Sequence, residues 1–390
     1  MQRITCRSLA IALGLVPVLL LGGCGTLGPK MMRNSQIEYN DVFADSWNKQ
    51  LLLNLVRAKY GEPPLFLELG SLTTQYSIEA GAKVEPLWKK PDAMARTVTT
   101  AAGGMTTTKV HGPSSGDENR NGVTVNYYER PTATFSPLQG HDYVTRLLSP
   151  IPLESLVLLT ASGWSVERVF SMCVQRINGL PNAPSASGPT PSYAPEYVDF
   201  ARAVALLREM QIDDSVTVEI SGEPGKHSMA LVMGAGEEHP RAAEVRQILK
   251  LPPDAARIAV QPAWVGEAGK DGGATLVVQT RSLMGVFNYL ANAVEIPEED
   301  VKAGWVVKTQ TEDGKDFDWK QVVGKVMCIR SSAAPPSEAY VSVRHKGNWF
   351  YVPESDLNSK FTFSFLASLF YLQSGDTTTM MPLLTLPVSQ

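Results

Sequence analysis

Val216-Thr217-Val218-Glu219-Ile220 alternates apolar and polar residues, which is the period-two pattern of a half-buried β-strand. The turn composition Glu223-Pro224-Gly225-Lys226 separates this run from a second apolar run at 229–233. The two runs therefore predict a β-hairpin. A helical pattern follows the hairpin at about 239–249.

Strands followed by a helix recur twice more towards the C-terminus. A strand at 274–279 runs into a helix at 282–294. A strand at 325–330 and a hairpin of strands at 339–344 and 349–352, joined by His345-Lys346-Gly347-Asn348, precede a helix at 357–372. Three such successions predict an α+β domain in which β-hairpins pack on helices.

The first half of the chain is predicted to be mostly helical. Ser35-Gln36-Ile37-Glu38 fits a capping box, and the helix that it starts ends near Tyr60, before Gly61 and Pro63-Pro64. Inside this helix an apolar residue recurs at every fourth position, at Phe43, Trp47, Leu51 and Leu55. We expect this stripe to lie in the core; the alternative is a stripe that lies on the membrane surface or against a partner.

Three further short helices are predicted at 141–148, 153–160 and 165–177. A segment with five prolines among Ser, Ala and Gly follows them at 180–195. This composition predicts the main domain boundary. The predicted parts are a mostly helical domain at 35–180, a Pro-rich linker at 181–195 and an α+β domain at 196–390.

A stretch of unusual composition interrupts the helical half. Residues 97–108 are almost all Thr, Ala and Gly, and residues 111–122 are polar and Gly-rich. Val123-Thr124-Val125-Asn126-Tyr127 alternates directly after Asn121-Gly122, which is a hairpin signal. The region at about 80–130 is therefore either a loop or a hairpin arm that pairs back on the strand containing Val84.

The N-terminus has the features of an export signal. Arg3 and Arg7 provide a basic start, and an apolar run at 9–21 follows, which is shorter than the roughly 20 residues that span a bilayer. The run ends in Leu21-Gly22-Gly23-Cys24, which resembles the lipobox of bacterial lipoproteins.

This resemblance implies that cleavage follows Gly23, so that residues 1–23 are a signal peptide. It also implies that Cys24 carries diacylglycerol and a fatty acyl group such as palmitate, with residues 24–34 as a lipidated tether. Several acyl chains make membrane attachment effectively permanent. Because Gly25 and not Asp follows the cysteine, the resemblance implies the outer membrane, with the protein on the periplasmic side.

Several segments of the body resemble a group of uncharacterised proteobacterial lipoproteins. The segments that carry this resemblance are residues 54–64, Ser162-Gly163-Trp164, Ile177-Asn178-Gly179-Leu180, residues 281–286 and Leu384-Thr385-Leu386-Pro387. The resemblance implies membership of that group and no particular chemistry.

Charge and cysteine content limit the classes of partner. Removal of residues 1–23 leaves 367 residues and shifts the formal net charge from −4 to −6, which argues against nucleic acid as a partner. Cys173 and Cys328 remain after export and lipidation of Cys24, and both lie in apolar contexts. They are either free buried thiols or a disulfide, which an oxidising compartment permits.

No pattern of residues indicates a catalytic or metal site. The histidines, His111, His141, His227, His239 and His345, have none of the spacings of a zinc site. Leu69-Gly70-Ser71-Leu72 lacks the second glycine of a nucleophile elbow, and Met233-Gly234-Ala235-Gly236 lacks the third glycine of a phosphate loop. The acidic clusters are interpreted as solvated surface: Glu237-Glu238, Glu298-Glu299-Asp300, and Asp316 with Asp318.

Aromatic residues concentrate near the C-terminus, in Trp349-Phe350-Tyr351 and in the last helix. There Phe361, Phe365, Leu369 and Leu372 follow helical spacing, which predicts a core helix. The alternative is a docking surface for another envelope protein. The tail at 380–387 is predicted to add a strand to its own or a neighbouring sheet.

Taken together, these features predict a lipid-anchored envelope protein that acts as a non-enzymatic scaffold or interaction component of an outer-membrane assembly. Its partners would be membrane lipid through Cys24 and either other envelope proteins or further copies of itself, with no cofactor beyond the lipid. The alternatives are an envelope hydrolase that acts on peptidoglycan or esters, and a solute-binding or sensing lipoprotein.

Overall fold

The computed structural model describes residues 24–83, 122–137, 141–189, 192–222, 228–234, 239–263 and 274–374. These residues form two compact units. The larger unit, called the body, contains residues 24–66 and the described residues from 141 to 374. The smaller unit contains residues 67–83 and 122–137. Helices with both mixed and antiparallel sheets confirm the predicted α+β class.

Helix α1 spans Cys24–Lys59. It therefore begins well before Ser35 and includes the segment predicted to be a tether, where Met31-Met32-Arg33 are residues of good helix propensity. The chain leaves the helix at Gly61, whose φ of +70° suits a residue without a side chain.

The apolar stripe of α1 packs into the body at the C-terminal end of the helix. Leu51 and Leu55 are fully buried, which confirms the core prediction for this part of the stripe. Trp47 lies edge-on against Phe370 with ring centroids 5.3 Å apart.

Helices α2 (His141–Leu148), α3 (Leu153–Ala161) and α4 (Val166–Cys173) follow in the body. Ser165 caps α4, because its hydroxyl accepts a hydrogen bond from the amide of Arg168. The predicted third helix is four residues too long, since the chain passes directly into strand β3 (Val174–Ile177). Its terminal residues, Val174 and Ile177, are β-branched and fully buried, and they fit a sheet better than a helix.

A six-stranded sheet forms the centre of the body. Its strands are β3, β4 (Leu180–Pro181), β5 (Val216–Ser221), β6 (Ser228–Met233), β7 (Arg257–Pro262) and β8 (Thr275–Thr280). They lie in the order β4-β3-β8-β7-β6-β5. Only the β7–β8 pair is parallel. The hairpin of β5 and β6 confirms the prediction from the opening stretch.

The Pro-rich segment predicted to be a linker contributes to this packing. Pro181 belongs to β4, and a short 3₁₀ helix occupies Pro184–Ser187. Asn182, Ala183 and Ala186 are buried. Small side chains and prolines allow the backbone of this segment to pack closely against the rest of the body. A prediction from composition alone therefore gives a linker, although the segment is part of the packed structure.

The remaining helices of the body follow in chain order. They are α5 (Val198–Ile212), α6 (Pro240–Ile248), α7 (Leu283–Ala291), α8 (Glu298–Lys302), α9 (Lys320–Val323) and α10 (Leu357–Ser374).

A second sheet contains β9 (Arg330–Ser332), β10 (Ala339–His345) and β11 (Asn348–Pro353) in the order β10-β11-β9. The predicted hairpin of β10 and β11 is present, with positive φ at Lys346 and Gly347 in its turn. The strand predicted at 325–330 is wrong for most of its length, because strand pairing starts only at Arg330.

Helix α10 is a core helix, but its buried stripe differs from the predicted one. Phe365 and Leu369 are fully buried, whereas Phe361 and Leu372 are 54% and 46% exposed. Phe363, Leu366 and Phe370 take their places. The buried positions come in adjacent pairs that recur every three or four residues, as the helical repeat of 3.6 requires. Residues spaced strictly four apart gradually rotate away from the buried side of the helix.

Among the described residues, no helix combines the length and the apolar run that crossing a bilayer requires. The predicted C-terminal strand at 380–387 lies outside the described residues.

Candidate functional site

A long β-hairpin is the candidate interaction site of this chain. Strand β1 (Leu67–Lys83) pairs antiparallel with strand β2 (Gly122–Pro137), from Leu67 opposite Pro137 to Lys83 opposite Gly122. At about 3.3 Å per residue, the 17 residues of β1 extend over roughly 55 Å. The register shifts once, at Gly70 between Leu69 and Ser71.

That register shift explains the sequence Leu69-Gly70-Ser71-Leu72. Gly70 is the extra residue of a β-bulge, a position that glycine commonly occupies in strands. Ser71 is paired with Thr134 directly after the bulge. The segment is therefore part of a continuous strand pair and has no strand-to-helix turn of the nucleophile-elbow type.

The register divides the hairpin into two faces of different composition. Opposed residues in an antiparallel pair share a face, and alternate positions along each strand change face. One face, called the apolar face, carries mainly apolar and aromatic residues: Leu67, Leu69, Leu72, Tyr76, Ile78, Ala80 and Ala82 of β1 and Val123, Val125, Tyr127, Ala133 and Phe135 of β2. Thr74, Pro131, Pro137 and Glu129 complete this face.

The opposite face, called the polar face, is almost uniformly hydrophilic. Its positions are Glu68, Ser71, Thr73, Gln75, Ser77, Glu79, Gly81 and Lys83 of β1 and Gly122, Thr124, Asn126, Tyr128, Arg130, Thr132, Thr134 and Ser136 of β2. The side chain of Thr132 is exposed and that of Tyr128 is half-buried. Such a two-faced strand pair is built to bury one face and hydrate the other.

The outer edges of the hairpin are its second notable feature. Within the described parts of the chain, β1 and β2 form a sheet of two strands with no third strand. A two-stranded sheet is only marginally stable in water, and each outer edge presents a row of unpaired backbone groups. The predicted alternating run at 123–127 lies in β2 and pairs with 78–82. Val84 and the Thr/Gly-rich residues up to 121 lie outside the described residues.

A second cluster of functional-type residues lies in the body, where the end of α1 meets α7, α8 and the β10–β11 turn. We call it the α1-end cluster; its members are Lys59, Tyr60, Glu62, Asn292, Asp300, His345 and Lys346. Tyr60 donates a hydrogen bond to Asp300, and both residues are buried. Burial, followed by the hydrogen bond to Asp300, raises the pKa of Tyr60. The phenol therefore stays protonated.

An ion pair between Glu62 and Lys346 completes the α1-end cluster. Glu62 lies 2.9 Å from Lys346 Nζ and 3.4 Å from His345 Nε2. Partial burial opposes ionisation of Glu62, but the hydrogen bond from Lys346 and the nearby positive charges outweigh burial and lower the pKa of this carboxyl. Burial also lowers the pKa of His345. Lys346 Nζ lies 5.6 Å from the ring centroid of Tyr60.

The geometry of the α1-end cluster fits attachment of α1 to the body better than catalysis. Tyr60 and Asp300 satisfy each other, and Glu62 is held by Lys346. A general base must lie within hydrogen-bonding distance of a substrate proton. Asp300 and Glu62 instead accept hydrogen bonds from Tyr60 and Lys346 of the cluster itself. The sequence interpretation of residues 298–300 as solvated surface is wrong for Asp300, which is 4% exposed. No local pattern signals this burial, because it depends on contact with Tyr60, 240 residues earlier.

The residues that carry the lipoprotein resemblance lie at structural junctions of the body. Asn54 exchanges two hydrogen bonds with the backbone of Leu65 and so fixes the chain after α1. Asn178 adopts a positive φ in the β3–β4 turn and binds the backbone of Val277 in β8. These contacts explain why such residues would be needed for folding.

Arg281 is the most extensively bonded of these junction residues. Its guanidinium is 1% exposed and donates to Ser187 Oγ and to the carbonyl oxygens of Ser171, Met172, Val174, Asn182 and Ala183. It also lies 4.3 Å from the ring centroid of Tyr289. Burial lowers its pKa to about 10, so the side chain stays charged near neutral pH.

The cysteines predicted to carry lipid or a disulfide occupy separate places. Cys24 is the first residue of α1, and Gly23 lies outside the described residues. Cys173 and Cys328 are free cysteines, and Cys173 is buried at the end of α4. Burial raises the pKa of the Cys173 thiol, so it stays protonated and unreactive.

Other candidates from the sequence do not converge on a site. His141 and His239 are exposed, whereas His111, His227 and Glu237-Glu238 lie outside the described residues. Asp316 pairs with Lys308 at 2.5 Å. Across the described ranges, no group of three or more His, Cys, Asp or Glu residues could hold a metal ion.

The body also contains an apolar pocket of about 630 Å³ on the central sheet. Its lining includes Met229, Val260, Pro262 and Val278 from the sheet, together with Ile151 and Leu153 from the chain around the start of α3. The size is that of a small-molecule site, and the lining favours an apolar group over a charged one.

Comparison with protein-family models, with curated proteins and with solved structures finds no match to this chain.

Proposed function

We propose that this chain is a lipid-anchored component of an outer-membrane assembly that associates with further copies of itself through the β1–β2 hairpin. The observation that carries the proposal is the hairpin itself, about 55 Å of paired strand with two faces of different composition and, among the described residues, no third strand at either edge. Exposure of the apolar face to water is unfavourable because of the hydrophobic effect. Exposed strand edges are also unfavourable, because their unpaired backbone groups can pair with another chain.

A second copy of the same chain is the partner that fits both edges. In a hairpin the two strands run in opposite directions, so the free edge of β1 in one copy can pair antiparallel with the free edge of β2 in the next. Repetition of this contact joins the copies head-to-tail. The copies form a closed ring when the rotation from one copy to the next is a whole fraction of a full turn. The apolar face stays on the same side in every copy, because opposed residues share a face.

The predicted lipid on Cys24 suits such an assembly. Cys24 begins α1, whose 36 residues correspond to about 54 Å of helix. The other end of α1 is fixed by Leu51, Leu55 and the α1-end cluster. Lipidation would therefore place all copies at one membrane surface, which raises their effective concentration for self-association.

The test is the native mass of the full-length, lipidated protein extracted from membranes in mild detergent. Wild type is expected to have a mass that is a defined multiple of the chain. Ile78→Glu places a charge on the apolar face and should reduce the assembly to single chains, because burial of an unpaired charge is unfavourable. Ser77→Glu, on the polar face of the same strand, is the matched control and should leave the mass unchanged.

Two outcomes contradict the proposal. One is a wild-type protein that is monomeric at every protein concentration tested. The other is an equal loss of assembly in both variants, which would mean that the faces of the hairpin do not matter. Thermal unfolding of each variant shows whether the body is still folded, so that loss of assembly is not confused with loss of fold.

A further inference from the structure

A pocket of about 440 Å³ lies at the N-terminal end of α4. Three cationic side chains line it, Arg168, Arg208 and Lys325, together with the single carboxylate Glu167. They come from α4, from α5 and from the segment before β9. The pocket lining is therefore positive by formal charge, on a chain whose net charge is negative.

Arg168 is fixed in position by neutral acceptors. Its guanidinium donates to the carbonyl oxygen of Asn358 at 2.9 Å, to the Asn358 side-chain oxygen at 3.2 Å and to the carbonyl oxygen of Val326 at 3.5 Å. Carbonyl oxygens orient the group but do not neutralise its charge. Burial lowers the pKa of Arg168, although the nearby carboxylates Glu167 and Asp356 oppose that shift.

Arg208 is also without a carboxylate partner in the described chain. Its guanidinium donates to Gln211 Oε1 at 2.7 Å, another neutral acceptor. Arg202, on the same helix, differs because it forms a two-point ion pair with Glu244 at 2.7 and 2.9 Å. The third cation, Lys325, reaches Glu167 only at 3.5 Å, and its side chain is 75% exposed. Excess positive charge is thus concentrated at the pocket.

We propose that this pocket is a binding site for a compact anion that carries a phosphate or carboxylate group. The planar guanidinium groups of Arg168 and Arg208 suit the oxygen geometry of either group, and Lys325 is placed to add an ammonium. A volume of about 440 Å³ accommodates such a head group with a small organic body. The lining residues all belong to the body, and binding there does not depend on the proposed self-association.

Isothermal titration calorimetry on the full chain at low salt tests the site, with inorganic phosphate and citrate as probes. Wild type is expected to bind at least one of them saturably, and added NaCl should weaken the binding. Arg208→Gln should raise Kd by about tenfold or more, because it removes a charged donor from the pocket. Arg202→Gln, on the same helix but paired with Glu244, should leave Kd unchanged.

A second experiment, with lipid vesicles, shows whether the anion is free in solution or is a lipid head group. Vesicles of phosphatidylglycerol mixed with a neutral lipid present the same phosphate chemistry as a head group, and binding that is sensitive to Arg208→Gln assigns the site to lipid. The proposal is overturned if neither probe nor these vesicles bind, or if Arg202→Gln weakens binding as much as Arg208→Gln does. Unfolding temperatures of both variants without ligand show that the pocket is still folded.

Discussion

Lys59 Nζ lies 3.2 Å from the side-chain oxygen of Asn292, in a place where both residues are buried. Burial lowers the pKa of Lys59 to about 8. In the unfolded chain the Lys59 side chain keeps its proton up to a pH of about 10.4. Burial of the charged ammonium therefore lowers the free energy of unfolding of the body at neutral pH.

The Lys59 side chain therefore predicts a pH-dependent difference between wild type and Lys59→Met. The unfolded state holds more protons than the folded state between about pH 8 and 10.4, so the Lys59 contribution to stability rises over this interval. The stability of wild type relative to Lys59→Met should then increase by roughly 2 kcal/mol from pH 7 to pH 10. Urea unfolding at both pH values measures it. Lys49→Met, on the exposed part of α1, should show no such change.

Tyr60→Phe is expected to destabilise the body. The substitution removes the hydroxyl that donates to Asp300 and leaves a buried carboxyl without that donor. The expected loss is about 1–3 kcal/mol in the free energy of unfolding. Tyr193→Phe, at a residue that is 65% exposed, is the control. Equal stability of the two variants would mean that the Tyr60 hydroxyl contributes nothing.

Arg281→Met is expected to be among the most destabilising single substitutions in the chain. It removes the guanidinium from a set of buried carbonyl oxygens, and each buried acceptor that is left without a donor costs about 1–3 kcal/mol. Arg281→Lys should recover only part of the stability, because an ammonium cannot reproduce the planar set of donors. Arg330→Met, at an exposed arginine, provides the comparison in chemical denaturation. A loss below about 1 kcal/mol for Arg281→Met would contradict this account.

Cys24→Ala should abolish stable membrane attachment if Cys24 carries lipid. The variant is expected in the soluble fraction after cell breakage, whereas wild type and Cys328→Ala are expected in the membrane fraction. Mass spectrometry of the N-terminal peptide checks for the acyl groups directly. Recovery of unacylated Cys24→Ala with the membranes would show that something other than lipid holds the protein there.

Local chemistry made part of the fold predictable. The β10–β11 hairpin follows from Lys346-Gly347 between alternating runs, and the β5–β6 hairpin follows from Glu223-Pro224-Gly225-Lys226 between two apolar runs. Strands β3 and β7 could not be predicted in this way. Strand β3 follows α4 without a turn residue, and β7 is a short run, Arg257–Pro262, whose strand character depends on its neighbours β6 and β8.

In the candidate sites, too, the local sequence predicts the single elements but not the contacts between them. Alternation predicts β2, but the division of the hairpin into two faces requires the register and the bulge at Gly70. The cationic pocket joins Arg168, Arg208 and Lys325, which lie far apart in the chain, so no motif predicts it. Spacing in sequence reports which residues share one helix or strand, and it does not report which elements meet.

The guanidinium of Arg281 fills a nest of carbonyl oxygens that the chain forms at 171–183. Strand β3, within that stretch, pairs with β8 at Val278 and Thr280, directly before Arg281. Synthesis proceeds from the N-terminus, so residues 171–183 are made before both β8 and Arg281. Until residue 281 has been made, β3 has only its local pairing with β4, and the nest of carbonyl oxygens lacks its guanidinium. The final structure of residues 171–183 therefore depends on Arg281, which lies 107 residues after Val174.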